Sequence, residues 1–319
     1  MSEFENQNQD WEKSAEEFVN SVENTDNLKK ENPKEAKVTS LGKAKMFLED
    51  DRPLMADIGY KNIPLENLPS RGMFYPDGTQ IAIRAATVNE IRHWSTIDED
   101  DIFNIDDMLN YVIEKCCRIK IPGSPSSWKD IKDIDRFYLI FAIREFTFKN
   151  GENKIYVKDS EGNRIEVRKE MIKYFQLHEK LQKYYDSANK NILLRLKNGE
   201  EIAIYMPSIG VSQFIKNYVK TKQQQGQPFD QAFIKFAPFL FKEWRTLNQT
   251  TFEKEAQQSS LWSLQKISVL SKVTEYLSQG VSAEIEYQTS SGELITAPLN
   301  IEGGIKSIFL ISDIFDELV

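Results

Sequence analysis

Two histidines and two cysteines are all that this chain of 319 residues supplies of the side chains most used to hold transition metals. His93 lies in "NEIRHW" and His178 in "FQLHEK", and no HExxH or CxxC spacing occurs. A metal centre would need one or two imidazoles plus scattered carboxylates, and nothing spaces them for it. Neither histidine follows a GxSxG-type turn, so no nucleophile–base pair stands out. Cys116 and Cys117 are adjacent, and a bridge between them would strain the intervening peptide. Their place in a helical pattern over 105–118 suits reduced, packed thiols better than activated ones. Long apolar runs are missing too: Phe137–Ile143 and Phe236–Phe241 fall far short of the about 20 residues that cross a bilayer. The acidic N-terminus carries no secretory leader, so the expected place is the cytoplasm or a particle assembled there. Asn248-Gln249-Thr250 fits a glycosylation sequon, which carries no meaning without secretion.

An excess of positive charge is also absent. The net charge is −8, and residues 1–58 hold 14 Asp/Glu against 8 Lys/Arg. The remaining 261 residues are therefore close to neutral, with no electrostatic footprint for nucleic acid. "EGGIKS" at 302–307 has the look of a phosphate loop, but Ile305 separates Gly304 from Lys306 and the upstream glycine is lacking. "DEDD" at 98–101 reads as a solvated acidic loop. The residues offer no catalytic, cofactor or metal site, and an enzyme is not expected.

What the chain does hold is an ordinary globular composition, 40% hydrophobic and 28% charged, long enough for two domains. Residues 1–58 are rich in Glu, Asn, Gln and Lys and read as a largely disordered acidic arm. Trp11 and Phe18 fall at helical spacing within it, either as part of a solvated tail or as a segment that folds on a partner. A strand/helix domain over 59–188 and a second α+β domain over 189–319 follow, with the boundary near "DSANKN". The fold class is α+β, made of short antiparallel hairpins and amphipathic helices in two subdomains.

The local signals are specific. Pro76-Asp77-Gly78 marks a turn into a strand at 79–84, and Thr87-Val88-Asn89-Glu90 matches a capping box that opens a helix over 88–96. The apolar run "IDRFYLIFAIREFTF" suits a buried helix or a strand, with helix to about 146 favoured. Hairpins are predicted over 154–167, over 192–207 around Asn198-Gly199, and over 282–299. The first and third share their form, as a weak internal repeat would. Helices are expected over 168–185, with Met171, Ile172, Phe175 and Leu181 on one face, and over 209–223 behind Ser208. A further helix should kink or break at Pro238, and a long one should cover 259–280, ended by Gly280.

One stretch, "LPSRGMFYPDGTQIAIRAATVNEI", resembles the signature of the T4-type bacteriophage baseplate hub protein family. The matching residues are Leu68, Pro69, Ser70, Gly72, Tyr75, Ile81, Ile83, Arg84, Thr87, Val88 and Glu90. A second block, "DRFYLIFAIREFTF" with Ile143-Arg144 inside it, is similar to that family's apolar helix, and a hairpin follows it. The resemblance covers about residues 65–185. Some members carry a Cys-x-x-Cys knuckle in the hairpin; here "KDSEGN" holds that place, so no zinc is implied. The resemblance implies a non-enzymatic structural or assembly protein of a contractile tail, at the baseplate in the virion or in the host cytoplasm during assembly. Its partners would be other tail and baseplate proteins or the tape-measure protein, with self-association open and neither nucleic acid nor membrane involved. The alternatives are a transient tail assembly chaperone for the tape-measure protein and a non-viral cytoplasmic adaptor. For partner binding the candidates are Pro69, Gly72, Met73, Phe74, Tyr75 and Arg84, with Trp11 and Phe18 of the arm. A loop stiffened by Pro69, Gly72, Pro76 and Gly78 either presents Met73, Phe74 and Tyr75 as a docking anchor or closes the core with them.

Overall fold

The computed structural model describes residues 59–148, 154–158, 162–278, 284–288 and 292–309. The expectations for residues 1–58, for Trp11 and Phe18, and for Gly280 as a helix terminator lie outside the described residues. The described residues belong to one compact unit, and it is α+β, with every strand pair among them antiparallel.

Strands β1 (Lys61–Ile63), β2 (Gln80–Ile83) and β3 (Cys117–Lys120) make the first sheet, in that order. The register sets Ile81 opposite both Ile63 and Ile119, so one face collects buried β-branched side chains. Helix α1 (Val88–Ser95) begins with the capping box: Thr87 accepts from the Glu90 N–H, and Glu90 accepts from the Thr87 N–H. Helix α2 (Ile102–Cys116) starts on the Asp101 carboxylate, which accepts from the Phe103 N–H at 2.8 Å. Helix α3 (Asp133–Thr147) is the apolar run, with ten of its fifteen residues buried. A helix enclosed on several sides needs no polar stripe, which is why its sequence did not separate it from a strand. Two small hairpins, β4 (Tyr156–Lys158) with β5 (Arg164–Glu166) and β9 (Glu284–Gln288) with β10 (Leu294–Pro298), join the same core through Val157, Ile285 and Tyr287.

A second sheet, β6 (Tyr185–Asp186), β7 (Asn191–Arg195) and β8 (Glu201–Ile204), turns at Asn198-Gly199, where Gly199 adopts φ 87°. Its core holds Phe74 and Ile134 together with Ile192, Ile204 and Leu270, so residues from both sides of position 188 share it. A third cluster gathers Val211, Phe233 and Phe252 from helices α5 (Ile209–Gln224), α6 (Gln231–Leu240) and α7 (Gln249–Ser259). Ser208 caps α5.

Four expectations need correction. Cys116 and Cys117 do not lie inside one helix: α2 ends at Cys116 and Cys117 opens β3, because buried Cys117 and Ile119 alternate with more exposed Arg118 and Lys120. The helix predicted over 168–185 does not form. A 3-10 turn at Lys169–Met171 leads into an extended run, then the short helix α4 (Glu179–Gln182) and β6. The extended backbone is satisfied from afar, by Lys173 N–H to Glu284 O and Phe175 N–H to Pro69 O, both at 2.9 Å. The helix predicted over 259–280 is shorter, α8 (Leu264–Ser278), since α7 ends at Ser259 and Trp262 packs between the second and third clusters. Asn248, the sequon residue, caps α7. Helix α6 continues through Pro238 and ends two residues later, so the proline falls in its last turn rather than at a break.

Close packing leaves one helical glycine without an alternative. A Cβ at Gly210 would drive into the Trp244 ring and come within 2.9 Å of the Lys129 Cβ. Gly210→Ala should cost about 1–3 kcal/mol by overpacking, despite the better helix propensity of alanine. A lowered urea midpoint with an unchanged slope is the expected result.

Candidate docking site

The loop Leu68–Pro76 is built from three successive turns. Arg71 donates to Leu68 O at 2.8 Å, Met73 to Ser70 O at 3.0 Å and Tyr75 to Gly72 O at 3.1 Å, all through backbone N–H groups. Arg71 has φ 50° and Gly72 φ 75°. A side chain at Gly72 would come within 2.9 Å of the Leu65 Cβ, so both conformation and space require glycine there. These turns aim three donors at one carboxylate of α3. Asp135, wholly buried, accepts from Ser70 N–H at 2.8 Å, Ser70 Oγ at 2.7 Å and Tyr75 OH at 2.9 Å. Having donated, the Tyr75 hydroxyl accepts from the Lys132 N–H at 2.9 Å. Burial outweighs those donors and raises the Asp135 carboxyl to about 6. It also raises the Tyr75 hydroxyl well above its ordinary value and lowers Lys132 to about 8.

A second lock holds the end of the motif. The Glu90 carboxylate accepts from Arg84 at 2.5 and 2.9 Å and from the Thr87 N–H at 2.7 Å, and the guanidinium holds it down at about 2. Ala86 N–H donates to Thr147 Oγ1 of α3 at 2.9 Å. The two sequence blocks of the family resemblance are thus bonded to each other.

This settles where the candidate residues lie. Phe74 is 3% exposed and Tyr75 2%, so both fill the core instead of standing out as anchors. Phe74 packs on Phe175 with ring centroids 5.6 Å apart. Pro69 is buried and gives its carbonyl to Phe175. Arg84 is spent on Glu90. Met73 and Gly72 stay half-buried, and Arg71 between Ser70 and Gly72 is exposed. Arg71 was not singled out from sequence, although a charge between two turn residues signals a side chain that must reach solvent.

Arg71 and the extended run Lys173–Leu177 line a groove of about 540 Å³, and Met73 and Tyr185 border an adjoining one of about 430 Å³. The Arg71 guanidinium lies 4.9 Å from the centre of the Tyr174 ring. Lys173 pairs with Glu284 at 3.0 Å on the wall, and Gln176 is exposed between buried Phe175 and Leu177. The groove thus has an aromatic floor under a cation, with an exposed amide beside it.

His93 packs on Tyr111 with ring centroids 4.4 Å apart and the planes tilted by 56°, and His178 stacks on Tyr276 at 3.9 Å. The two phosphate-like and cation-like motifs satisfy each other: Glu99 of "DEDD" accepts from the Lys306 N–H at 2.6 Å and packs against Gly304. Among the described residues no group of three or more His, Cys, Asp or Glu is placed to hold a metal, and no helix is long and apolar enough to cross a membrane. Comparison with protein-family models, with curated proteins and with solved structures finds no match to this chain.

Burial pushes the Cys116 thiol up to about 12 and Cys117 well above its ordinary value. Neither should react with a disulfide reagent at pH 8 in the native protein, and both should react once it is unfolded. For Asp135, the folded value near 6 lies above the unfolded value of about 4. Its stabilising effect is therefore complete below about pH 4 and is lost as the pH rises through about 6. Between pH 4 and pH 7 the stability difference should move by about 1–3 kcal/mol in favour of Asp135→Asn, read from urea midpoints. A difference that stays constant, or moves the other way, contradicts this account.

Proposed function

We propose that the chain is a non-enzymatic structural and assembly protein of a contractile phage tail, working at the baseplate hub by holding other tail proteins. The observation that carries the reading is the mutual bonding of the two resemblance blocks, Ser70 and Tyr75 to Asp135 and Ala86 to Thr147. Two such stretches that lock to one another make a common framework. Signature residues of an enzyme would instead converge on a cleft with free donors or acceptors. Supporting this, the Asp135 carboxylate is filled by the protein itself, and both histidines are packed against tyrosine rings. The partners are other baseplate proteins or the tape-measure protein, and the place is the tail or the host cytoplasm during assembly.

The direct test is mass spectrometry of purified tail particles and of tail-assembly intermediates from cells that make this chain. Co-purification with baseplate hub proteins is expected, and absence from both preparations would overturn the reading. Recovery from intermediates alone would identify the transient assembly-factor form. At the groove, Arg71→Glu combined with Gln176→Glu should weaken the isolated complex at least tenfold. Such exposed changes should move stability by only about 0.5 kcal/mol, so Tm serves as the control.

A further inference from the structure

On the other flank of the Phe74–Pro76 segment lies a separate cleft of about 270 Å³, with Lys132 at its inner end and Lys242 and Arg245 among its lining. Its charges do not balance. Arg245 is committed to Asp130 through two bonds of 2.7 Å, and Lys190 to Asp77 at 2.7 Å. The carboxylates nearest Lys132 in sequence are bonded to other groups, Asp130 to Arg245, Asp133 through one oxygen to Ser212, and Asp135 to Ser70 and Tyr75, while the second Asp133 oxygen is buried without a partner. The Lys132 ammonium keeps one neutral acceptor, Met206 O at 3.2 Å, for its three N–H donors. Burial pushes it down to about 8 against the opposing pull of the Asp130, Asp133 and Asp135 carboxylates, and the charge of Lys242 adds to the lowering. Lys242 itself is exposed, with no carboxylate partner among the described residues. Glu243, also at the cleft, stands beside Arg245. Carboxylates lie near Lys132, but among the described residues none is in direct contact with its ammonium or with that of Lys242.

The rest of the lining limits what an anion entering there is attached to. Phe74, Ile121, Pro122 and Tyr205 give the cleft apolar walls. A bare inorganic anion would leave them uncovered, and a nucleic acid would need a row of cations where there is one recess. We infer that this cleft receives a carboxylate from a partner peptide, gripped between Lys132 Nζ and Lys242 Nζ, with a neighbouring aliphatic or aromatic side chain of that peptide against the apolar walls. The inference rests on the reading that the chain works by holding proteins, and adds the chemistry of what it holds. It concerns a different surface from the Arg71 groove.

Fluorescence anisotropy with three labelled hexapeptides tests it. One carries a single glutamate between two leucines and an amidated C-terminus; the second has glutamine in its place. The third keeps the glutamine but ends in a free carboxylate. The glutamate peptide, the free-ended peptide or both should bind at least tenfold more tightly than the glutamine amide, and which of them does so names the source of the carboxylate. Lys132→Met, which keeps the aliphatic stem, should abolish that preference. Lys242→Ala, an exposed change that leaves folding alone, should reduce it several-fold. Bound peptide should also protect Lys132 of the unaltered protein from amine acylation, read by mass spectrometry. Equal binding of all three peptides, an undiminished preference in Lys242→Ala together with no protection of Lys132, or inorganic phosphate binding more tightly than any peptide would overturn the inference. If it fails while the chain still co-purifies with tail proteins, only this site is lost and the functional reading stands.

Discussion

Asp135 carries a carboxylate into a position where no water reaches it, and much of the rest follows from how that charge is kept. An isolated buried carboxylate costs several kcal/mol, so its oxygens have to be filled by donors held in place. Ser70 supplies two and Tyr75 a third. They meet one carboxylate only if the chain between them turns three times within eight residues, which is what Arg71 and Gly72 at positive φ allow. From Tyr75 the chain of bonds continues into the Lys132 backbone, and Asp133 N–H reaches Pro207 O at 3.0 Å just ahead of Ser208, the cap of α5. A single enclosed charge thus ties the first sheet, α3 and α5 into one frame.

That frame explains the dense proline and glycine of the loop differently from a docking role. Pro69, Gly72 and Pro76 shape backbone so that polar atoms converge inward, and Phe74 and Tyr75 go inward with them. What this leaves outside is Arg71 and Met73 on one flank, and on the other the cleft that Lys132 lines. Both surfaces border the same stiff loop. Little of it remains to be ordered when a partner arrives, which removes one of the larger entropic costs of association.

Features decided within a few residues were legible in the sequence. The Thr87–Glu90 capping box, the Asn198-Gly199 turn and the Ser208 cap need only their neighbours. Features decided by distant partners were not. β1 and β3 are four residues or fewer and exist because β2 lies between them. Met171, Ile172 and Phe175 fit a helical face and not the period of two of an extended one; bonds to the β9 backbone and to Pro69 hold the run extended all the same. The candidate site divides the same way. Gly72 announced itself through turn chemistry, whereas Asp135 and Lys132 looked like two ordinary charges at a helix start. Burial makes them distinctive, and burial is a property of the whole fold.

Charge distribution bears on how such a protein would choose its partners. Outside residues 1–58 the chain has nearly equal numbers of acidic and basic residues, and many of them close on each other, as in Arg84–Glu90, Arg136–Asp106 and Arg245–Asp130. A near-neutral surface exerts little long-range pull, so encounter gains little from electrostatic steering. Selectivity must then come from contacts made at close range, after water has left. A recessed ammonium with apolar walls discriminates in that way, because a ligand that fills the walls without supplying the charge leaves Lys132 more deeply desolvated than before. The wrong partner is penalised by the same group that rewards the right one.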